Sequence, residues 1–589
     1  MKVLVIGGGG REHALVWKIS RSPKVTKIYC APGNAGISEM ATCLPINTVD
    51  IEGLVKFAQK EQIDLTIAGP AVALSAGIVD RFESERLRIF GPRQKAAEIE
   101  SSKSFAKALM EKHGIPTAGG RIFPSYVQAK NHIIKTGRPM VVKADGITAG
   151  KGVMLCDTPA KGLAALERIM KKREFGEAGE SVIIEDCLMG EEASFLAFTD
   201  GKTVLPLPSA QEHRPACDDD KGSATGGMGA CSPAPVVDSY MHKKIMAEIM
   251  LPAVQAMAQE GRPYRGVLSA NLMITGDRPA VLGFNCHWGE PVAQSLLLRI
   301  KTDIVPVLEA VIDEKLHESP LEIDERPSVC VVMAAGGYPG SYKKGAPISG
   351  LKNASRMKDI AVFHAGTAAK NKDILTSRGR VLGVTALGNS LEKSINRAYA
   401  AVSKISWKGV HYREDIGKKA LRWLQQPPRV GIVMGSDSDL EVMEGAVGIL
   451  KKFAIPYEMT VASAHRSPQK AVDFASKARD RGMKVIIAGA GHAAHLAGVL
   501  AAHTSLPVIG VPIDSSCLQG LDALLSTVQM PPGVPVATVS IGKSGAKNAA
   551  ILAAQILAVS DPLLTSHIDA FKKQMEEQVA DKAKKINKL

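Results

Sequence analysis

Aromatic residues make up only 4% of this 589-residue chain, and none of its nine cysteines falls in a CxxC pair. The first shortage removes the stacking platforms on which a binder of single-stranded nucleic acid depends. It leaves the formal charge of +14, which is spread along the chain, as a general attraction for phosphorylated metabolites. No nucleic-acid partner is expected. The cysteines, at 30, 43, 156, 187, 217, 231, 286, 330 and 517, are odd in number and lack histidines at zinc-finger spacing, which excludes a disulfide framework and a zinc ribbon. No apolar run is long enough to span a bilayer, and the chain opens on Val3-Leu4-Val5-Ile6 and Gly7 rather than on a long h-region with a small-residue cleavage site. Reduced thiols, a cytoplasmic location and no membrane partner are the expectation. Tandem repeats and low-complexity segments are also lacking.

What is present is an ordinary globular composition, 45% hydrophobic and 22% charged, in a chain long enough for roughly three to five domains. Its most informative stretch begins at residue 430. The apolar run Val430 to Met434 ends in Gly435-Ser436-Asp437-Ser438-Asp439 and a helical pattern follows, so small and hydroxylated residues fall where a buried parallel strand meets a helix N-terminus, an anion site. One βα unit later Ser463-Ala464-His465-Arg466 follows Val461, placing an imidazole and a guanidinium on the next strand's edge. A third buried run, Val485 to Ala488, opens into Gly489-Ala490-Gly491-His492-Ala493-Ala494-His495-Leu496. A phosphate binder and a proton carrier are thereby predicted to share one crevice.

With these pieces, and with Gly510-Val-Pro512, Gln529-Met-Pro-Pro-Gly-Val-Pro-Val536, Ile541-Gly-Lys543 and Asn548-Ala-Ala550, residues 430–558 resemble the class I catalytic subunit of phosphoribosylaminoimidazole carboxylase, the N5-carboxyaminoimidazole ribonucleotide mutase. The resemblance implies a flavodoxin-like, three-layer parallel-sheet domain that moves a carboxyl group from the exocyclic nitrogen to ring carbon C4 of an aminoimidazole ribonucleotide, with no cofactor. It implies that Ser436, Ser438, Asp439, Ser463, Ala464 and Arg466 anchor the ribotide, and that Ala490, Gly491, Leu496 and His495 close over the imidazole. His465 is the candidate general acid/base, with His495 beside it, since imidazole changes charge near neutral pH. Class I mutases form octamers with active sites between subunits, so a homo-octamer is implied too. Two positions depart from the family: His492 replaces a glycine, as a second titrating group or as a helix cap, and Ala497 replaces a proline.

The N-terminal part begins with the buried strand Val3 to Ile6 and the loop Gly7-Gly8-Gly9-Gly10-Arg11, whose glycines are predicted to let phosphate approach backbone N–H groups. The second strand ends in Ala31-Pro32-Gly33-Asn34-Ala35-Gly36 rather than in the acidic residue of a dinucleotide fingerprint. Together with Ser102-Lys103-Ser-Phe-Ala-Lys107, Val141-Val-Lys-Ala-Asp-Gly146, Gly190-Glu-Glu-Ala-Ser-Phe195, Thr225-Gly-Gly-Met-Gly229 and Glu414-Asp-Ile-Gly417, these pieces resemble glycinamide ribonucleotide synthetase, the phosphoribosylamine–glycine ligase. The resemblance runs to about residue 425 and implies an α/β, ATP-grasp ligase architecture. The expected domains are 1–100 (Rossmann-like), 101–320 (ATP-grasp), 321–426 (C-terminal subdomain), 427–560 (mutase) and 561–589 (a basic, solvated helix), with a stiff joint at Pro427-Pro428. By the same resemblance Lys103, Lys143 and Lys151 meet nucleotide phosphates, Glu185, Leu188 and Glu192 hold the nucleoside, and Asn285 ligates magnesium.

Where the family carries ligand-contacting groups, this chain departs. Gly283 stands in place of the metal carboxylate two residues before Asn285; Cys286-His287-Trp288-Gly289-Glu290-Pro291-Val292 replaces Ala-Arg-Phe-Gly-Asp-Pro-Glu; and Ala71 replaces the glutamate after Gly69-Pro70. Losing metal coordination and acceptor binding together removes both charge neutralisation and positioning of the phosphoryl group. A mutase with a degenerate ligase-like region is therefore expected, ATP and magnesium being cofactors only if that region works. The alternatives are a two-activity enzyme and a nucleotide-sensing or partner-docking module.

Overall fold

The computed structural model describes residues 1–148, 151–371 and 373–586. The chain forms two compact units, Met1–Ile274 with Pro279–Leu424, and Gln425–Leu589 with Thr275–Arg278. No helix among the described residues is long and apolar enough to cross a membrane.

The first unit opens with a five-stranded parallel sheet in the spatial order Thr42–Cys43, Lys27–Pro32, Lys2–Gly7, Leu65–Ala68, Ile89–Phe90. Val3, Leu4, Val5 and Ile6 are all 0% exposed, as expected of a central parallel strand covered on both faces. The order reverses between Lys2–Gly7 and Leu65–Ala68, so a crevice opens where the loops after these strands diverge. Two four-stranded sheets follow. One has the order Gly120–Phe123, Val182–Asp186, Met140–Ala144, Val153–Cys156, with antiparallel neighbours, and the other Val204–Pro206, Glu191–Thr199, Gly266–Thr275, Arg278–Asn285. Between them they carry Lys143, Glu185 and Glu192 of the predicted nucleotide residues, whereas Lys151 and Leu188 lie in the loops beside them. The helix Lys103–Lys112, which brings Lys103 and Lys107, starts where the Ser102 hydroxyl accepts from Phe105 N–H at 3.2 Å, a side-chain cap for an otherwise unsatisfied donor. A sheet built on Gln211–Cys217, Lys221–Ser232, Ser328–Ala335, Arg380–Leu387 and Ile360–His364 completes the unit. The helix Lys418–Leu424 stops short of Pro427.

The second unit is one parallel sheet in the order Tyr457–Val461, Val430–Met434, Val485–Gly491, Val508–Ile513, Ala537–Thr538, the flavodoxin-like arrangement. The helices Leu440–Lys452 and Gly542–Ala558 pack through one buried cluster and Pro468–Ala478 and Leu496–Ala502 through another, giving three layers. The terminal helix, Pro562–Ile586, is only partly the solvated helix expected. Leu564 and Ile568 are buried in the domain core and Phe571 packs against it, whereas Met575 and Val579 are exposed. The apolar spacing 564, 568, 571 docks the first turns, and the charged residues beyond them stay in water.

Candidate functional site

In the second unit, adjacent strands Val430–Met434 and Val485–Gly491 send their chains to opposite sides, so the loops after them line a crevice at the carboxyl edge. Ser436 starts a short 3-10 turn, Asp437–Asp439, in which Asp439 Oδ2 accepts from Ser436 N–H at 3.1 Å and Ser436 Oγ from Ser438 N–H at 3.4 Å. From the neighbouring strand's end, Arg466 Nη2 donates to Gly435 O at 3.1 Å, and Arg466 N–H to Ser463 Oγ at 3.1 Å. The predicted ribotide anchors thus share one rim, and Ala464 lies half-buried within it. Burial lifts the Asp439 carboxyl above the usual carboxylate range, against the pull of the Ser436 amide, the Ser438 hydroxyl and the neighbouring Arg466 guanidinium. His465 and His495, thirty residues apart in the chain, meet with Nε2 and Nδ1 at 2.9 Å and ring planes 78° apart. One of the two nitrogens carries the hydrogen between them, and both rings are exposed to solvent.

Ala490 and Gly491 end the strand Val485–Gly491, and a Cβ at Gly491 would lie 1.9 Å from Ser515 Oγ, so a side chain there would force Ser515 to move. Leu496 differs: at 2% exposure its side chain packs in the core beneath. His492 does not cap the following helix, whose N-cap is His495. Its φ of +55° is the left-handed conformation that glycine adopts without a Cβ penalty, and its Nδ1 lies 3.1 Å from Ser515 Oγ. Sequence reasoning missed Ser515 and Ser467, whose Oγ accepts from Ser463 N–H at 2.9 Å. Both stand where strand-end rules point, Ser515 just past Val508–Ile513 and Ser467 just before Pro468.

In the first unit, the expected open phosphate cradle at Gly7–Gly10 is not met. Gly9 N–H donates to Glu12 Oε2 at 2.7 Å and Gly10 N–H to Glu290 Oε1 at 2.9 Å, so the chain's own carboxylates occupy the helix N-terminus. Burial works against the Glu290 charge, yet Arg380, Arg11 and the amides of Gly10 and Arg11 hold its carboxyl below the usual range. Farther along, Lys143 Nζ pairs with Glu185 Oε2 and donates to Leu282 O at 2.8 Å; Lys107, which the sequence did not single out, reaches Glu185 Oε1 at 3.3 Å. Lys103 Nζ donates to Gly146 O at 2.5 Å, and its ammonium sits below its ordinary value because of burial, with Lys143 adding repulsion and Asp145 and Glu100 opposing it. Leu188 is half-buried; Lys151 and Glu192 are exposed. Ala149 and Gly150, next to Lys151, lie outside the described residues.

A magnesium ion demands carboxylate oxygens in near-octahedral order, and among the described residues the groups beside Asn285 do not supply them. Asn285 and Gly283 share a strand face, and a Cβ built on Gly283 meets nothing within 4 Å, so the carboxylate is missing but its room is kept. Neither neighbouring glutamate substitutes. Glu290 is held by Gly10 N–H and Arg380, and Glu212 by Arg214 at 3.0 Å.

Residues 1–100, 101–293 and 328–419 match the N domain, the ATP-grasp (A) domain and the C domain of phosphoribosylglycinamide synthetase. The phosphoribosylamine–glycine ligase of Rhodopirellula baltica is 47% identical over 426 residues, 71% of this chain and 98% of that protein. The chain belongs to the phosphoribosylamine–glycine ligase family. The ligase of Vibrio vulnificus is 46% identical over 429 residues, 72% of this chain and 100% of that protein. Residues 429–578 match the AIR carboxylase family, so the chain is a fusion of two purine-biosynthetic enzyme families. The crystal structure of the phosphoribosylamine–glycine ligase from Thermotoga maritima aligns at TM-score 0.61 with 28% identity, covering 71% of this chain and all of that one. The biotin carboxylase of Campylobacter jejuni, at TM-score 0.55 and 13% identity over 72% of this chain and 95% of that one, shares the ATP-grasp fold.

Proposed function

We propose that the second unit is an N5-carboxyaminoimidazole ribonucleotide mutase, and that the ligase-family unit before it keeps its fold without efficient ligase chemistry. The observation that carries the first half is the His465–His495 contact at 2.9 Å beside the Ser436, Asp439 and Arg466 rim. Arg466 supplies charge and a fork of donors for a phosphate, and Asp439 an acceptor for sugar hydroxyls. In the reaction the bond from the exocyclic nitrogen to the carboxyl carbon breaks, the released carbon dioxide is trapped, and C4 attacks it. One proton leaves C4 and one is gained at nitrogen, so a single shuttling imidazole suffices and nothing is consumed. His465 takes that role, and His495 holds its ring and passes the proton on. No cofactor is needed in this unit.

The second half rests on Gly283, the occupied helix N-terminus and the committed glutamates. Lys103, Lys143 and Glu185 retain the character of a nucleotide site, which favours ATP binding without turnover over a full ligase. Leu518, Leu521, Leu525 and Val528 are each about half exposed (49–57%) and recur at helical spacing, an apolar face suited to the homo-octamer of class I mutases. A cytoplasmic location follows from this chemistry. Assaying the full chain separately for the two half-reactions tests the proposal: 4-carboxyaminoimidazole ribonucleotide should form without ATP, and glycinamide ribonucleotide should not form at an ordinary enzyme's rate. The reverse outcome would overturn it.

A further inference from the structure

The end of the strand Arg278–Asn285 carries a group of side chains that neither half-reaction uses. Glu100, from the helix Gln94–Ser101, reaches across 186 residues to accept from Cys286 N–H at 2.6 Å, and its Oε2 lies 2.8 Å from His287 Nδ1. The Cys286 thiol turns to the same carboxylate. The three donor atoms, sulfur, nitrogen and oxygen, all lie within 4.8 Å of one another. Cys286 is 3% exposed, but the His287 and Glu100 side chains keep 17% and 13% of their surface in contact with solvent, so the group is shielded yet reachable.

We propose that Glu100, Cys286 and His287 form a binding site for a borderline transition metal, with zinc the best fit. The donor set decides the class. A thiolate and an imidazole prefer zinc, cobalt or copper, whereas magnesium takes oxygen donors. The size agrees. Zinc bonds of about 2.3 Å to sulfur and about 2.0 Å to nitrogen and oxygen, arranged tetrahedrally, put the donor atoms roughly 3.3–3.7 Å apart. The His287–Glu100 contact opens by about half an ångström when the ion takes the place of the hydrogen between them. The thiol proton leaves to solvent, and the imidazole hydrogen moves to Nε2. Three protein donors leave the fourth position to water, the pattern of an open zinc site.

The charges facing the site set its strength. Glu100 supplies the negative charge, while the nearby positive charges of Lys103 and Arg11 oppose a cation. The Arg11 guanidinium is itself tied to Glu12 and to Trp288 O at 3.1 Å, so part of its charge is already matched by a carboxylate. The site is independent of the lost magnesium position: it uses none of its ligands and selects a different class of ion.

The test is titration of the metal-free full chain with cobalt(II) as the spectroscopic probe and zinc(II) as competitor. One equivalent of cobalt should give a thiolate-to-metal charge-transfer band that one equivalent of zinc removes. Cys286→Ser should abolish the band, and Glu100→Gln or His287→Gln should weaken binding at least tenfold. Replacing the exposed Cys217 and Cys517 by Ser should leave it unchanged. X-ray absorption at one equivalent of zinc reads the unmutated chain, so a variant that fails to fold does not decide the matter: one sulfur and three nitrogen or oxygen neighbours are expected. No band, a band that survives in Cys286→Ser, or a zinc shell without sulfur would each overturn the assignment.

Discussion

Replacing Gly283 by glutamate would restore the carboxylate that the ligase-family unit lacks, and the structure sets the expected effect. The position tolerates the change, because a Cβ there meets no atom within 4 Å. The new side chain would stand two residues from Asn285 on the same strand face, about 6.6 Å along the strand, close enough for both to reach one ion. A unit charge pair at 4 Å is worth about 4 kcal/mol at an effective dielectric of about 20, and a divalent ion about twice that. Most of this is returned in stripping water from the ion and the carboxylate, so a net gain of about 2–3 kcal/mol is expected, roughly 30- to 150-fold in affinity. Calorimetric titration with ATP, with and without magnesium, reads this directly. The unmodified chain should bind ATP with little dependence on magnesium, and Gly283→Glu should acquire a 30- to 150-fold dependence without gaining ligase turnover. An unmodified chain that already shows that dependence, or a folded variant that does not acquire it, would refute this role for Gly283.

Three other perturbations separate the remaining roles. His465→Asn should lower mutase turnover by about 10²–10⁴ while substrate binding survives, the loss expected when a proton carrier is removed; near-normal turnover would move the role to another residue. Arg466→Ala should instead raise KM with a smaller effect on kcat and flatten the salt dependence of kcat/KM, because the phosphate loses its charged partner. Acid should unfold the ligase-family unit. Burial holds His13 down to about 3 and His364 and His213 down to about 4. A histidine depressed in the folded state gives stability that is full above its unfolded value near 6.5 and is lost as pH falls from there toward 4 and 3. At pH 5 that is about 2 kcal/mol for each of the three. Trp17, Trp288, Trp407 and Trp423, the four tryptophans of the chain, all lie in this unit. The urea midpoint followed by tryptophan fluorescence should therefore fall between pH 7 and pH 5, and an unchanged midpoint would refute the prediction.

What could be read from the sequence was whatever is local. Val3 to Ile6 and Val430 to Met434 announce buried parallel strands because both faces must be apolar, and each strand ends in the small or polar residues that line a crevice. Three such ends in succession, at Gly435, Ser463 and Gly489, point to one edge of the second unit's sheet, where the structure has Ser436, Asp439, His465, Arg466 and His495. What was hidden is long-range pairing. Nothing local says that Glu290 will reach Gly10, 280 residues away, and occupy a loop that otherwise reads as a phosphate cradle. The Glu100 contacts to Cys286 and His287 are hidden for the same reason. The terminal helix was misjudged in part because period-3.6 spacing locates an apolar stripe but not where along its length a neighbour stops covering it. Leu496 was assigned to a ligand surface, although an apolar residue at the start of a helix after a parallel strand more simply fills the layer below.

The most direct test of the central claim is to give the full chain N5-carboxyaminoimidazole ribonucleotide labelled with carbon-13 in its carboxyl group, in unlabelled bicarbonate and without ATP. The label should reappear in the carboxyl group on C4 of the product. Absence of product, or product carrying unlabelled carbon from bicarbonate, would contradict the claim.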